Sequence, residues 1–301
     1  MQYSKPPLSI SRQIQQLQSR GLLIADIPKA EHFLSNVSYY RLSAYMLPLQ
    51  RANDPEHTFL PGITFDQIHD LYVFDRELRL IVFDIIERIE VGLRTQIIYQ
   101  FSMAHGAWWF ENTNLFRDHN AFERCLQDID REVDRSHEVF IRHYKREYTS
   151  PARPPAWMSM EVTSMGTLSK TYQNLKRGPA KKAVATHFGL QNPGILESWM
   201  QSLTYVRNLC AHHSRFWNRI LTIRPTLPVS PSVTTRPWLA QTAVANDRAY
   251  AFLSCMIYLL KVVAPTTQVP QRIKDLLAKF PSTDARKMGF PPQWEQEVLW
   301  N

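Results

Sequence analysis

The run Arg207-Asn208-Leu209-Cys210-Ala211-His212-His213-Ser214-Arg215-Phe216-Trp217-Asn218-Arg219 holds three arginines, two asparagines and two histidines and no carboxylate. An arginine stays charged at any working pH and grips a phosphate through paired N–H donors. A histidine titrates near neutrality and can take a proton from, or return one to, a ribose or phosphate oxygen. Those parts suffice for RNA cleavage without a metal. The imidazole would serve as general base or acid around attack by a 2′-hydroxyl, and the guanidinium would stabilise the charge that builds on the phosphorus oxygens. A solvated helix face can have the same composition, so geometry has to decide between the two.

The spacing predicts one helix from Ile195 to Leu221, entered through Asn192 and Pro193. At about 100° per residue, Arg207, Asn208, His212, Arg215, Asn218 and Arg219 then form one polar arc. Leu203, Val206, Leu209, Cys210, Phe216, Trp217, Ile220 and Leu221 form the opposite, core-facing arc, and His213 falls with them in a packing or supporting role. Arg207 and His212 lie about 140° apart on such a helix and do not aim at one atom. Either the helix ends near the motif or a second copy supplies the missing groups.

Other clusters carry less. Glu87, Glu90 and Arg94 form an i, i+3, i+7 stripe on an apolar segment, as a salt-bridged face or as support for the site. Lys176, Arg177, Lys181 and Lys182 make a basic turn that is either solvated or placed to steer RNA. Tyr39, Tyr40, Tyr45, Trp108 and Trp109 could stack on bases, although aromatics at such spacing mostly fill cores. Ten histidines without an HExxH or comparable ligand spacing predict no metal site, and nothing predicts a cofactor.

The elements that must position these residues are helices. In 301 residues with 44% apolar side chains there are 9 glycines and 20 prolines, too few φ > 0 residues for the many tight turns of a β-sandwich or barrel. The net charge of +8 favours an anionic partner. Cys125, Cys210 and Cys255 are far apart, with no CxxC, so neither a disulfide framework nor a zinc knuckle is expected. Met1 to Ile10 lacks the apolar run of a secretory signal, and Ala249 to Ala264 falls short of the roughly 20 residues that span a bilayer. The expectation is a cytoplasmic protein with no membrane partner.

Along the chain, helices are predicted over Ser9–Arg20, from the Asp26 cap to Asn36, and over Val37–Leu49. A loop at 51–64 precedes a long apolar helix from Phe65 to Phe101, expected to be the buried centre. Asp75–Arg79, Asp84–Arg88 and Glu90–Arg94 support it as i,i+4 pairs. An aromatic loop at 108–116 and one charged helix over Ala121–Tyr148 follow, then helices over Glu161–Leu175 and Ala180–Phe188. After the motif come a loop at Pro225–Trp238 and helices at Thr242–Val263 and Pro270–Phe280. The domain boundaries predicted are an N-terminal helical region at 1–50, a main helical domain at 65–280 and an irregular tail at 281–301.

Arg207-Asn208 followed by His212 resembles the RNxxxH signature of HEPN-type ribonucleases. In its extended form the chain resembles the abortive-infection (Abi) proteins of the AbiD/AbiF group. Lys5-Pro6-Pro7-Leu8, Glu31-His32-Phe33-Leu34, Tyr39-Tyr40-Arg41-Leu42-Ser43, Phe74-Asp75-Arg76-Glu77-Leu78-Arg79, Ile86-Glu87-Arg88-Ile89-Glu90 and Pro155-Ala156-Trp157-Met158 carry the likeness over most of the chain. The resemblance implies an all-α, HEPN-like helical bundle with additional N-terminal and C-terminal helices. It implies a homodimer whose facing motifs form a composite ribonuclease site of Arg207, Asn208 and His212. Arg215 and Arg219 would then track phosphates. The expected role is a toxin-like endoribonuclease of phage defence, acting on single-stranded or transfer RNA and restrained by an RNA or protein antitoxin. The alternative is an RNA-binding protein without turnover.

Overall fold

The computed structural model describes every residue except 1, 3–5, 229–232 and 242–243. The described residues form twelve α-helices joined by short 3-10 turns, and isolated bridges but no strand occur among them. The fold is all-α. Lys5, the expected helix start at Thr242 and residues 229–232 of the expected loop lie outside the described residues.

Two compact units divide the chain: Met1–Leu78 with Asp275–Asp284, and Arg79–Lys274 with Ala285–Asn301. The division falls inside a helix rather than in the loop at 51–64. In the first unit, α1 (Ile10–Ser19) is capped by the Ser9 hydroxyl, and α2 (Ile27–Val37) by Asp26 with proline in its first turn. α3 (Tyr39–Met46) follows at once, and the long α4 (Phe65–His105) begins here. Tyr45 is core, not a base-stacking surface. Its hydroxyl donates to the fully buried carboxylate of Asp75 at 2.6 Å, and its ring meets Tyr72 edge-on. Tyr39 accepts from Arg20, and Tyr40 is exposed.

The second unit contains the rest of α4 and the helices α5 (His119–Asp134), α6 (Val139–Glu147), α7 (Ala156–Ser159), α8 (Met165–Asn174), α9 (Pro179–His187), α10 (Pro193–Ala211) and α11 (Ala249–Val263). α12 (Val269–Lys279) begins in it. The charged segment expected as one helix is two, α5 and α6, broken at 135–138, and α8 starts at the Ser164 cap rather than at Glu161. Trp109 and Phe110 are buried within short 3-10 turns. The centre of this unit is α11, not α4. Every residue from Ala249 to Leu260 is buried, whereas α4 leaves Glu87, Val91, Thr95, Tyr99 and Met103 exposed at four-residue steps along one side. Gly92 of α4 lets α11 come close, because a Cβ there would lie 2.8 Å from Val263.

The tail at 285–301 is irregular but is a core element. Trp300 stacks on Tyr250 at 5.4 Å, Trp294 and Phe290 close around it, and its indole N–H donates to Ser254. α8 packs against both α5 and α10, and α10 also meets α9 and α11, so the motif helix is held on three sides. None of the described helices is long and apolar enough to cross a membrane.

Candidate active site

α10 starts where the sequence places it. The Asn192 side chain accepts from the Gly194 amide, and Pro193 sits at the first helical position, where its missing N–H costs nothing. Leu196, Trp199, Met200, Leu203, Val206 and Cys210 recur every three or four residues and are buried, while Arg207 and Asn208 face solvent.

The helix then stops ten residues short of the expected Leu221. His212 is its C-cap, and its amide donates to the Asn208 carbonyl at 3.0 Å. His213 follows in the left-handed region at φ 54°. Its amide donates to Cys210 and the Ser214 amide to Leu209, each at 2.9 Å. This pair of reversed hydrogen bonds is a Schellman closure, here with a histidine at the position where glycine is usual. A non-glycine residue at positive φ is uncommon and costs local strain. The closure also turns His213 outward, so it is exposed rather than core-facing as the helical arc predicted.

Beyond the stop, Phe216, Trp217 and Leu221 are buried as the apolar spacing required, but from an irregular segment, and Ile220 is exposed. Asn218 also takes positive φ, at 50°, and accepts from Arg248 at 3.1 Å. Arg219 bends back so that its Nε donates to the Arg215 carbonyl at 2.9 Å. Neither Arg215 nor Arg219 is therefore on the helix. The chain next returns along α10. Ser202 donates to the Ile223 carbonyl, the Trp199 indole to Thr226, and the Ser198 hydroxyl accepts from the Thr226 amide. Ser198 and Ser202 were not anticipated as anchors, although their i,i+4 spacing beside Trp199 puts them on one face.

The motif thus sits on a helix end pinned by its own return segment. Among the described residues, the side chains of Arg207, Asn208 and His212 make no hydrogen bond or ion pair. Arg207 and His212 are both exposed, and among the described residues no carboxylate pairs with either. A guanidinium without an acid partner is open to an oxyanion, and an imidazole without a partner is open to exchange a proton with whatever that oxyanion carries.

The supporting clusters divide. Lys181 is withdrawn from any nucleic-acid surface. Its side chain is 0% exposed, its ammonium pairs with Glu197 at 2.7 Å, donates to the Leu175 carbonyl at 2.7 Å and lies over the Tyr172 ring. Burial pushes its pKa down, against the hydrogen bond it donates to Glu197, which pushes it up. Lys176, Arg177 and Lys182 are exposed. Arg94 is buried and bonds the turn after α7, donating to the carbonyls of Met160 and of Thr163, the latter at 2.8 Å, and to Glu90 at 2.8 Å. Those contacts tie α4 to the 160–163 turn and not to α10, and Glu87 is exposed. Among the described residues no group of three or more His, Cys, Asp or Glu converges as metal ligands would, and the three cysteines are buried and form no disulfide.

The sequence model of the Abi-like protein family matches residues 32–218. That stretch is more than half of the chain, contains Arg207, Asn208 and His212, and ends at Asn218 just before Arg219. No curated protein and no solved structure matches. An all-α fold, an open arginine and histidine on the capped end of α10 and a match that runs through both place the chain in the Abi-like family.

Proposed function

We propose that this Abi-like protein is a metal-independent endoribonuclease of the HEPN superfamily, of the AbiD/AbiF type, acting in abortive-infection phage defence. The observation that carries it is the pair Arg207 and His212, exposed on one capped helix end with no protein partner among the described residues. Family membership supports the biological setting.

In the proposed reaction His212 takes the proton from a ribose 2′-hydroxyl. The 2′-oxygen attacks the adjacent phosphorus, and the bond to the 5′-oxygen breaks as that oxygen receives a proton. The products are a 2′,3′-cyclic phosphate and a 5′-hydroxyl. Arg207 binds the non-bridging oxygens, whose charge rises in the transition state, and Asn208 orients the phosphate or the imidazole. An ideal helix would set Arg207 and His212 about 140° apart, and in this reading the two roles are shared across a homodimer in which two motifs face one cleft. Arg215, Arg219, Lys176, Arg177 and Lys182 guide the strand by its phosphates, and an RNA or protein antitoxin holds the enzyme silent in the cytoplasm.

Purified protein is expected to cut single-stranded or transfer RNA in the presence of EDTA and to leave cyclic phosphate ends. Cleavage that survives both Arg207→Ala and His212→Ala overturns the proposal. The same exposed cations also fit one other reading, an RNA-binding protein without turnover. It predicts salt-dependent RNA binding that Arg207→Ala weakens, and no cleavage under any condition.

A further inference from the structure

The second unit carries a cleft of about 620 Å³ between α5 and α8. Four cations line it: Arg117, Arg124, Arg131 and Lys170. Its two carboxylates are already engaged. Asp118 caps α5 by accepting from the Ala121 amide at 2.8 Å, and Asp128 is paired with Arg131. Arg117 bonds Glu197 of α10 at 3.2 Å. Arg124 and Lys170 remain. Both are exposed, and among the described residues neither makes an ion pair or hydrogen bond. Gln173 and Gln127 add neutral amides to the lining.

The order of the charges points to a chain rather than to a single phosphate. Arg124 and Arg131 are seven residues apart, two turns and about 10 Å along one face of α5, and Arg117 precedes the cap at the same spacing. Glu197, which holds Arg117, is 15 residues before His212, about 22 Å along α10. A single strand of a few nucleotides covers that distance. We infer that the cleft between α5 and α8, with Arg124 and Lys170 as its open cations, is a second site that holds the phosphodiester backbone of the RNA strand engaged at the end of α10. This rests on the ribonuclease function proposed for that end.

The test uses the full chain with His212→Ala, so that nothing is cut, and a fluorescein-labelled single-stranded oligoribonucleotide read by anisotropy. Arg124→Glu with Lys170→Glu is expected to weaken binding about tenfold or more and to reduce the salt slope of log affinity by about 1.4, the share of two phosphate contacts on a single strand. Arg12→Glu with Arg142→Glu makes the same charge change at exposed positions outside the cleft. An equal loss in that control, or unchanged affinity and slope in the cleft variant, overturns the inference. Arg124→Gln with Lys170→Gln, checked for fold by circular dichroism, carries the same expectation at a smaller size. Cleavage of a dinucleotide, too short to reach the cleft, by the chain with His212 intact separates the two proposals. Binding lost in the cleft variant with no RNA cut by the natural chain keeps the cleft and removes the ribonuclease. Unchanged binding in the cleft variant with the dinucleotide cut keeps the ribonuclease and removes the cleft.

Discussion

The two ends of α10 treat positive charge in opposite ways. Near its start, Glu197 accepts from Lys181 at 2.7 Å and from Arg117 at 3.2 Å, and the Lys181 side chain is wholly buried. Near its finish, Arg207 and His212 face solvent, and among the described residues neither makes an ion pair. The first arrangement is what a folded interior demands, since a buried ammonium is tolerated only when paired and hydrogen-bonded. The second is stable because the charge stays hydrated, and it leaves donors for a ligand. Stability and binding are thus placed on one helix about three to four turns apart.

The contrast is broken most severely at Glu197. Glu197→Ala strands a buried ammonium and is expected to cost about 3–5 kcal/mol in urea unfolding. Glu197→Leu combined with Lys181→Met should recover most of that loss. If the single change is silent, the pairing is not what holds the start of α10. At the other end, Arg207→Ala and His212→Ala are each expected to lower RNA cleavage by about 10²–10³-fold, with unfolding free energy within about 0.5 kcal/mol of the natural chain. A large stability loss there would make the motif structural and erase the difference between the ends.

Smaller effects sharpen the same picture. Ser202→Ala removes the bond to the Ile223 carbonyl and is expected to cost about 1 kcal/mol in the same unfolding assay. His213→Gly relieves a left-handed residue and is expected to gain up to about 1 kcal/mol, partly offset by the entropy of glycine in the unfolded chain. A loss instead would show that the His213 side chain holds the helix end.

Much of the fold is legible where local chemistry acts alone. The Ser9 and Asp26 caps, the prolines opening α2, α9 and α10, and the i,i+4 pairs of α4 announce their helices, and Asp84–Arg88 and Glu90–Arg94 close at 3.0 and 2.8 Å. The residue types of the motif are equally plain in the sequence. The stop of α10 is not, because no glycine or proline marks it and Phe216, Trp217 and Leu221 continue a helical spacing while being buried by another route. Nor is the fate of Lys181, since its neighbour Lys182 is chemically identical and only tertiary packing sends one inward and one outward. The exchange of roles between α4 and α11 is hidden for a similar reason. Both are apolar, and only the neighbours each meets decide which is covered on all sides.

The uninterrupted burial of α11 fixes how its backbone amides trade with solvent deuterium. A helix with one wet face can fray or open locally, but with Ala249 to Leu260 covered throughout, no small motion brings water to its hydrogen bonds. Its central amides should exchange only when the whole second unit unfolds, which makes them a clock for the free energy of that event.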